Sequence, residues 1–126
     1  MRKTIQIPGA PSPIGPYSQA ILCGKTLYIS GQIPLNPFSD NLVVETIQDA
    51  THLVMKNIQA LLHEAGMDLT NIVKCSIFLK SMDDFSEMNA VYGSYFTATP
   101  PARETVQVSK LPLDVPIEIS CIAVLD

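Results

Sequence analysis

Asn71-Ile-Val-Lys-Cys-Ser-Ile-Phe-Leu-Lys80 alternates, with Val73, Cys75, Ile77 and Leu79 expected on one face and Lys74, Ser76 and Phe78 on the other. A period of two over this length predicts a strand. On both sides of it the period lengthens. Upstream, Thr46 followed by Asp49 resembles a capping box. Ile47, Ala50, Leu53, Val54, Ile58, Leu61, Leu62 and Ala65 then recur at spacings of three and four, as far as Gly66, a suitable residue just past a helix end. Gln48, Asn57, Gln59 and Glu64 are expected on the other side of that helix. Downstream, Asp83 and Asp84 favour the start of a second helix, whose stripe of Phe85, Met88, Tyr92, Tyr95 and Phe96 reads as core.

Working outward, Lys3 to Ile7 reads as a first strand, and Pro8 to Pro16, with four prolines, as a rigid surface loop. Ser18 to Ile33 reads as a hairpin turning at Cys23-Gly24-Lys25, with Leu27, Ile29 and Ile33 alternating with Tyr28, Ser30 and Gln32. Gly31 interrupts its second strand and predicts a bulge, with or without a ligand against the backbone. After a loop at Pro34 to Asp40, the first helix, the strand and the second helix follow. The connection ends at Pro100-Pro101, and the strands Glu104 to Lys110 and Ile117 to Leu125 are joined by a turn, Leu111 to Pro116.

The order β-β-β-α-β-α-β-β predicts an α+β (α/β) fold in a single domain, 1–126, with about six strands and two helices. Because βαβ crossovers are right-handed, both helices should cover one face of the sheet. The other face, with Tyr28, Phe78, Val106 and Val108 or their alternating neighbours, is then left bare, and a partly apolar bare sheet invites oligomerisation.

Composition narrows the function. The chain has 126 residues, 47% hydrophobic and 16% charged, which excludes a disordered chain. Eight Lys and Arg against twelve Asp and Glu give a net charge of −4, so no basic surface is expected for phosphates, and nucleic acid is not an expected partner. Neither a signal peptide nor a membrane-spanning run is seen, which predicts a cytoplasmic protein without membrane attachment. Cys23, Cys75 and Cys121 are expected to be separate, buried, reduced thiols. His52 and His63, eleven residues apart on one predicted helix, are too distant to share a metal, and read as surface histidines.

Two charged residues stand where strands begin. Arg103, in Pro100-Pro-Ala-Arg-Glu-Thr-Val-Gln-Val108, can hold a carboxylate through two parallel hydrogen bonds, or form an ordinary surface ion pair. Glu118, in Val115-Pro-Ile-Glu-Ile-Ser-Cys121, can position or activate water, or be a solvated strand-end charge. Joined by a short turn, the two strands are expected to run antiparallel, so these side chains lie at opposite ends, roughly 20 Å apart, with Ser30 and Gly31 at Glu118's end. A site using both residues must then lie between subunits.

The same residues carry a family resemblance. Gly15-Pro-Tyr-Ser-Gln-Ala20, Ile29-Ser-Gly-Gln-Ile-Pro34, Met88-Asn-Ala-Val-Tyr92, and Pro101-Ala-Arg-x-x-Val-x-Val108 with Leu111-Pro112 and Ile117-Glu-Ile119 resemble the Rid family of reactive intermediate deaminases, the RidA/YjgF type, over nearly the whole chain. The resemblance implies a chorismate-mutase-like fold, with a six-stranded mixed sheet and two helices, and a homotrimer with clefts between subunits. It implies hydrolysis of 2-imino acids such as 2-iminobutanoate and 2-iminopropanoate to 2-oxo acids and ammonia, without metal or organic cofactor. Pyridoxal-phosphate dehydratases would be the functional link, as the source of the imine. Arg103 then corresponds to the carboxylate clamp and Glu118 to the acid that holds water. Tyr17, Ser30, Gly31, Asn89 and Thr105 match positions lining the cleft. Thr105 departs from the cysteine that many members carry. The same clefts could instead hold small carboxylates without turnover, in a binding, regulatory or chaperone-like module.

Overall fold

The computed structural model describes residues 1–126. Six strands, β1 (Arg2–Ile5), β2 (Ala20–Cys23), β3 (Thr26–Gln32), β4 (Ile72–Leu79), β5 (Ala102–Gln107) and β6 (Ile117–Val124), form one mixed sheet in the order β1-β2-β3-β6-β4-β5. Helices α1 (Ile47–Glu64) and α2 (Phe85–Ser94) are the two expected ones. The Thr46 side chain accepts a hydrogen bond from the Asp49 N–H at 3.0 Å, and Gly66 adopts φ +75°, so α1 begins and ends as its sequence dictates.

Both helices lie on one side of the sheet. Leu27, Ile29, Cys75, Ile77, Leu79, Ile117, Ile119, Cys121 and Ala123 point toward them, and Ala50, Val54, Ile58, Leu61, Leu62, Met88 and Tyr92 point back. On the opposite side nothing covers Tyr28 or Val106, and Phe78 is half-buried beside Glu118. That face is not uniformly apolar. Lys74, Ser76 and Glu104 form a polar strip across it, with Lys74 Nζ 3.2 Å from the Glu104 carboxylate and the Ser76 hydroxyl donating to the same group.

Four expectations need correction. First, β5 and β6 are not hairpin partners. Strand β4 lies between them, parallel to β5 and antiparallel to β6. The segment Leu111 to Pro116 is a step over the end of β4 and not a tight turn. It forms a short 3₁₀ turn, Pro112–Asp114, with Leu113 and Asp114 at φ 54° and 56°. The Val108 N–H donates to Leu79 O and the Lys80 N–H to Pro116 O, which ties both ends of the step to β4.

Second, Val73 is not on the core face: a register shift between Ile72 and Lys74 turns it outward and puts Ile72 inside. Third, Asn57 is buried, at 6% exposure, where solvent was expected. Its Nδ2 donates to Leu35 O at 3.0 Å and Ile33 O at 3.4 Å, so this amide holds the loop after β3 against α1. Fourth, the cysteines are neither all buried nor all separate. Cys23 is exposed, while Cys75 and Cys121 meet across β4 and β6 with their sulfurs 3.5 Å apart.

Candidate functional site

The sequence-predicted residues fall into two groups on opposite faces of the sheet. Arg103, Thr105 and Asn89 form the group on the helix side. Strand β5 is a sheet edge, entered after two prolines that cannot continue a helix, and its register places Arg103 beside Cys75. Cys75 faces the helices, so Arg103 does too, and α2 meets it there. Arg103 Nη1 donates to Asn89 Oδ1 at 2.7 Å. Its guanidinium carbon lies 5.0 Å from the Tyr92 ring centre and 5.6 Å from that of Phe85. An amide acceptor and two aromatic rings thus fix the plane of a half-buried cation. The ion pairs of the chain are Lys74–Glu104 and Lys80–Asp114. Arg103 belongs to neither, which removes the surface-ion-pair alternative.

Phe85 and Tyr92 were legible only as core residues. Met88 and Tyr92 are indeed buried, but the same stripe also forms the platform under Arg103. No spacing rule brings α2 to β5, so this second use had no signal in the sequence. Thr105, two residues along from Arg103 and on the same side, has its Oγ1 buried without a hydrogen-bond partner. Tyr92 Oη is likewise buried without a hydrogen-bond partner, and burial raises its pKa.

The second group gathers at the bulge. Ile29 pairs with Cys121 and Gln32 with Ile119, so the stretch between them holds one residue more in β3 than in β6. Ser30 and Gly31 occupy the irregularity. Glu118, on β6, fills the space where a side chain on residue 31 would begin: a Cβ there would lie 2.6 Å from the Glu118 carboxyl carbon. Only glycine is compatible with Glu118 in that position. Partial burial pushes the Glu118 carboxyl above the usual glutamate range. The Ser30 hydroxyl donates to Ser18 O at 2.6 Å and its N–H to Gln19 O at 2.9 Å, tying the bulge to the segment that carries Tyr17. Tyr17 itself is 58% exposed. Beside this group Arg2, Thr4, Ser18, Ile21, Tyr28, Ile29 and Ser30 line an open groove of about 540 Å³.

Register gives the distance between the groups. Arg103 shares a rung with Cys75 and Cys121, whereas Glu118 shares one with Phe78 and Val106, three residues further along. Three residues along the strands and two strand spacings across them make about 14 Å between Cα atoms, in place of the roughly 20 Å expected for a hairpin. An odd number of rungs also sends the two side chains to opposite faces. Within one chain Arg103 and Glu118 do not meet. No group of three or more His, Cys, Asp and Glu side chains is placed to hold a metal ion.

The Endoribonuclease L-PSP family model matches residues 8–125. A RutC family protein of Pyrococcus horikoshii is 49% identical over 123 residues, covering 98% of each chain. The 2-iminobutanoate/2-iminopropanoate deaminase of Bos taurus is 44% identical over 124 residues, covering 98% of this chain and 90% of its own. Among solved structures, YyfA of Yersinia pestis, described as a member of the conserved Rid protein family, superimposes with a TM-score of 0.93 at 45% identity, over 99% of this chain and 100% of that one. With nearly the whole chain matched by the family model, by relatives of up to 49% identity and by a superimposable solved structure, the chain belongs to the L-PSP family, also known as RutC or Rid.

Proposed function

We propose that the protein hydrolyses reactive 2-imino acids to 2-oxo acids and ammonia, in clefts that form between the subunits of a homotrimer. The observation that carries this reading is Arg103: a half-buried guanidinium, oriented by Asn89, Tyr92 and Phe85, with no acidic partner in its own chain. Such a group is prepared for a carboxylate from outside. The 44% identity to a mammalian enzyme named as a 2-imino acid deaminase supports the substrate class. The partly apolar, uncovered sheet face, with Tyr28 and Val106 exposed, supports association of copies of the chain.

In this reading Arg103 of one subunit binds the substrate carboxylate and places the imine carbon against the bulge of a neighbour. Glu118 there holds a water molecule, and partial burial keeps its carboxylate more basic than a solvated one. The water oxygen bonds to the imine carbon as one water proton passes to Glu118 and the C=N π pair moves to nitrogen; Glu118 hands that proton to nitrogen, giving a carbinolamine. Glu118 then takes the carbinolamine hydroxyl proton and delivers it to nitrogen as the C–N bond breaks, so ammonia leaves and the C–O bond becomes the ketone. One imine and one water yield one 2-oxo acid and one ammonia. Tyr17, Ser30, Gly31 and Thr105 line the cleft. The imine hydrolyses in water unaided, so positioning is the main requirement. Pyridoxal-phosphate dehydratases release substrates of this kind. The endoribonuclease activity in the family's name would call for phosphate-binding basic surface, which a net charge of −4 does not favour.

The test supplies 2-iminobutanoate from a threonine dehydratase, with semicarbazide capturing whatever imine is not hydrolysed. Faster 2-oxobutanoate formation and less semicarbazone than in the buffer control are expected with the wild type, and no such change with Arg103→Ala. Equal rates in all three would leave a carboxylate-binding module as the function.

A further inference from the structure

Cys75 and Cys121 stand directly opposite one another on the antiparallel strands β4 and β6, both on the helix side of the sheet. Cys75 is fully buried, Cys121 is 3% exposed, and the sulfurs are 3.5 Å apart. Opposed residues in antiparallel strands have Cβ atoms about 4.5–5.5 Å apart, whereas a disulfide draws them to about 3.5–4.5 Å. An approach of about 1 Å, with rotation about the Cα–Cβ bonds, therefore brings the sulfurs to bonding distance. Cys23 does not compete, because it lies on β2, two strands removed from β6, and is exposed at the hairpin end.

We propose that Cys75 and Cys121 are a redox modification site, a buried dithiol that hydrogen peroxide closes to an intrachain disulfide. The Cys75 sulfur attacks one peroxide oxygen and the O–O bond breaks. This leaves a sulfenic acid on Cys75 and releases the first water once the thiol proton is transferred. The Cys121 sulfur then attacks the Cys75 sulfur, the S–O bond breaks, and hydroxide leaves with the Cys121 proton as the second water. Two thiols are oxidised by two electrons in all, and one peroxide is reduced to two waters.

The surroundings set the order of the steps. The hydrogen bond shared with Cys121 lowers the Cys75 pKa, against burial, and the Arg103 charge acts in the same direction. Cys121 is shifted upward, first by Cys75 and then by burial. Arg103 stands beside Cys75 on β5, whereas Cys121 has no cationic neighbour on the strands beside it, so Cys75 is the attacking thiol and Cys121 the resolving one. Burial admits a small neutral peroxide during local opening and excludes bulky thiols, so the disulfide is favoured over mixed disulfides.

The test uses a Cys23→Ser chain, which retains only the two facing thiols, exposed to graded hydrogen peroxide, then denatured, alkylated and mapped by mass spectrometry. The expected result is joint loss of both alkylation sites, a whole-chain mass lower by two hydrogens, a Cys75–Cys121 cross-linked peptide, and full recovery with dithiothreitol. With Cys121→Ala added, dimedone should instead capture a sulfenic acid on Cys75. The proposal is overturned if both thiols stay fully alkylatable at peroxide levels that oxidise Cys23 in the wild type. It is equally overturned if either sulfur proceeds to sulfinic acid without a cross-linked peptide.

Discussion

Replacing Gly31 by alanine probes the bulge with one methyl group. Gly31 does not have positive φ, so alanine strains no backbone and only the collision counts. The added carbon would lie 2.6 Å from the Glu118 carboxyl carbon and 2.9 Å from its Cγ, whereas carbon atoms pack at about 3.5–4.0 Å. Turning the carboxylate about its outer bonds leaves Cγ where it is, so the clash is relieved only by rotation about the Cα–Cβ bond. Overpacking of a closed core costs about 1–3 kcal/mol. Glu118 is half-buried on an open face and has room to move, so the lower end applies, about 1 kcal/mol, comparable to holding one side chain off its preferred rotamer. For a chain of this size that is a fall of about 4 °C in Tm. Glu118→Ala removes the obstacle, so the two substitutions should couple by about 1 kcal/mol, with Gly31→Ala nearly neutral in the Glu118→Ala background. The four proteins are to be compared by thermal unfolding at one fixed protomer concentration, because Tm depends on concentration wherever copies associate. Turnover of Gly31→Ala should fall to that of Glu118→Ala, since both remove the carboxylate from the bulge. An undiminished loss of stability in the Glu118→Ala background would refute the collision. Wild-type turnover by Gly31→Ala would refute the need for Glu118 at that place.

Further outcomes follow from other residues. The Glu118 carboxyl titrates higher in the folded chain than in the unfolded one, so the folded state binds the extra proton and stability declines as pH rises through that interval. Urea unfolding of Glu118→Gln should therefore show a gain over wild type at neutral pH that vanishes below the ordinary glutamate range; a gain of equal size at every pH contradicts this. Asn57→Ala leaves the Leu35 carbonyl unpaired against α1, while Ile33 O keeps the Leu35 N–H, and should destabilise by about 1–3 kcal/mol in denaturant titration; an unchanged midpoint would show that the amide does not hold the loop. Thr105→Val removes a buried hydroxyl without a partner at nearly constant volume. It should be neutral or stabilising by up to about 1 kcal/mol in the same assay, and a clear loss would reveal a partner in the assembled protein.

Local signals in the sequence were strong where one element decides the outcome. Thr46, the three-and-four spacing and Gly66 defined α1, and Gly31 marked the bulge, because caps, periodicity and turn geometry depend on residues close in the chain. The strand order was not legible. Leu111 to Pro116 suits a hairpin turn and a step over β4 equally well, and only the pairing of β4 with both neighbours separates them. Asn57 reads as polar and hence exposed until the loop it bonds to is in place. Arg103 and Glu118 stood out as charges at strand starts, yet Phe85 and Tyr92 beneath Arg103, and the meeting of Cys75 with Cys121, depend on contacts between distant segments.

The central claim is that one active site takes Arg103 from one subunit and Glu118 from its neighbour. Subunit complementation tests it most directly. Arg103→Ala and Glu118→Ala chains, each inactive alone, are co-refolded in equal amounts, and mixed assembly is verified by mass. Random mixing unites an intact Arg103 with a neighbour's intact Glu118 in about a quarter of the clefts, so imine hydrolysis should return to about a quarter of the wild-type rate. Mixed assemblies as inactive as their parents would contradict the account.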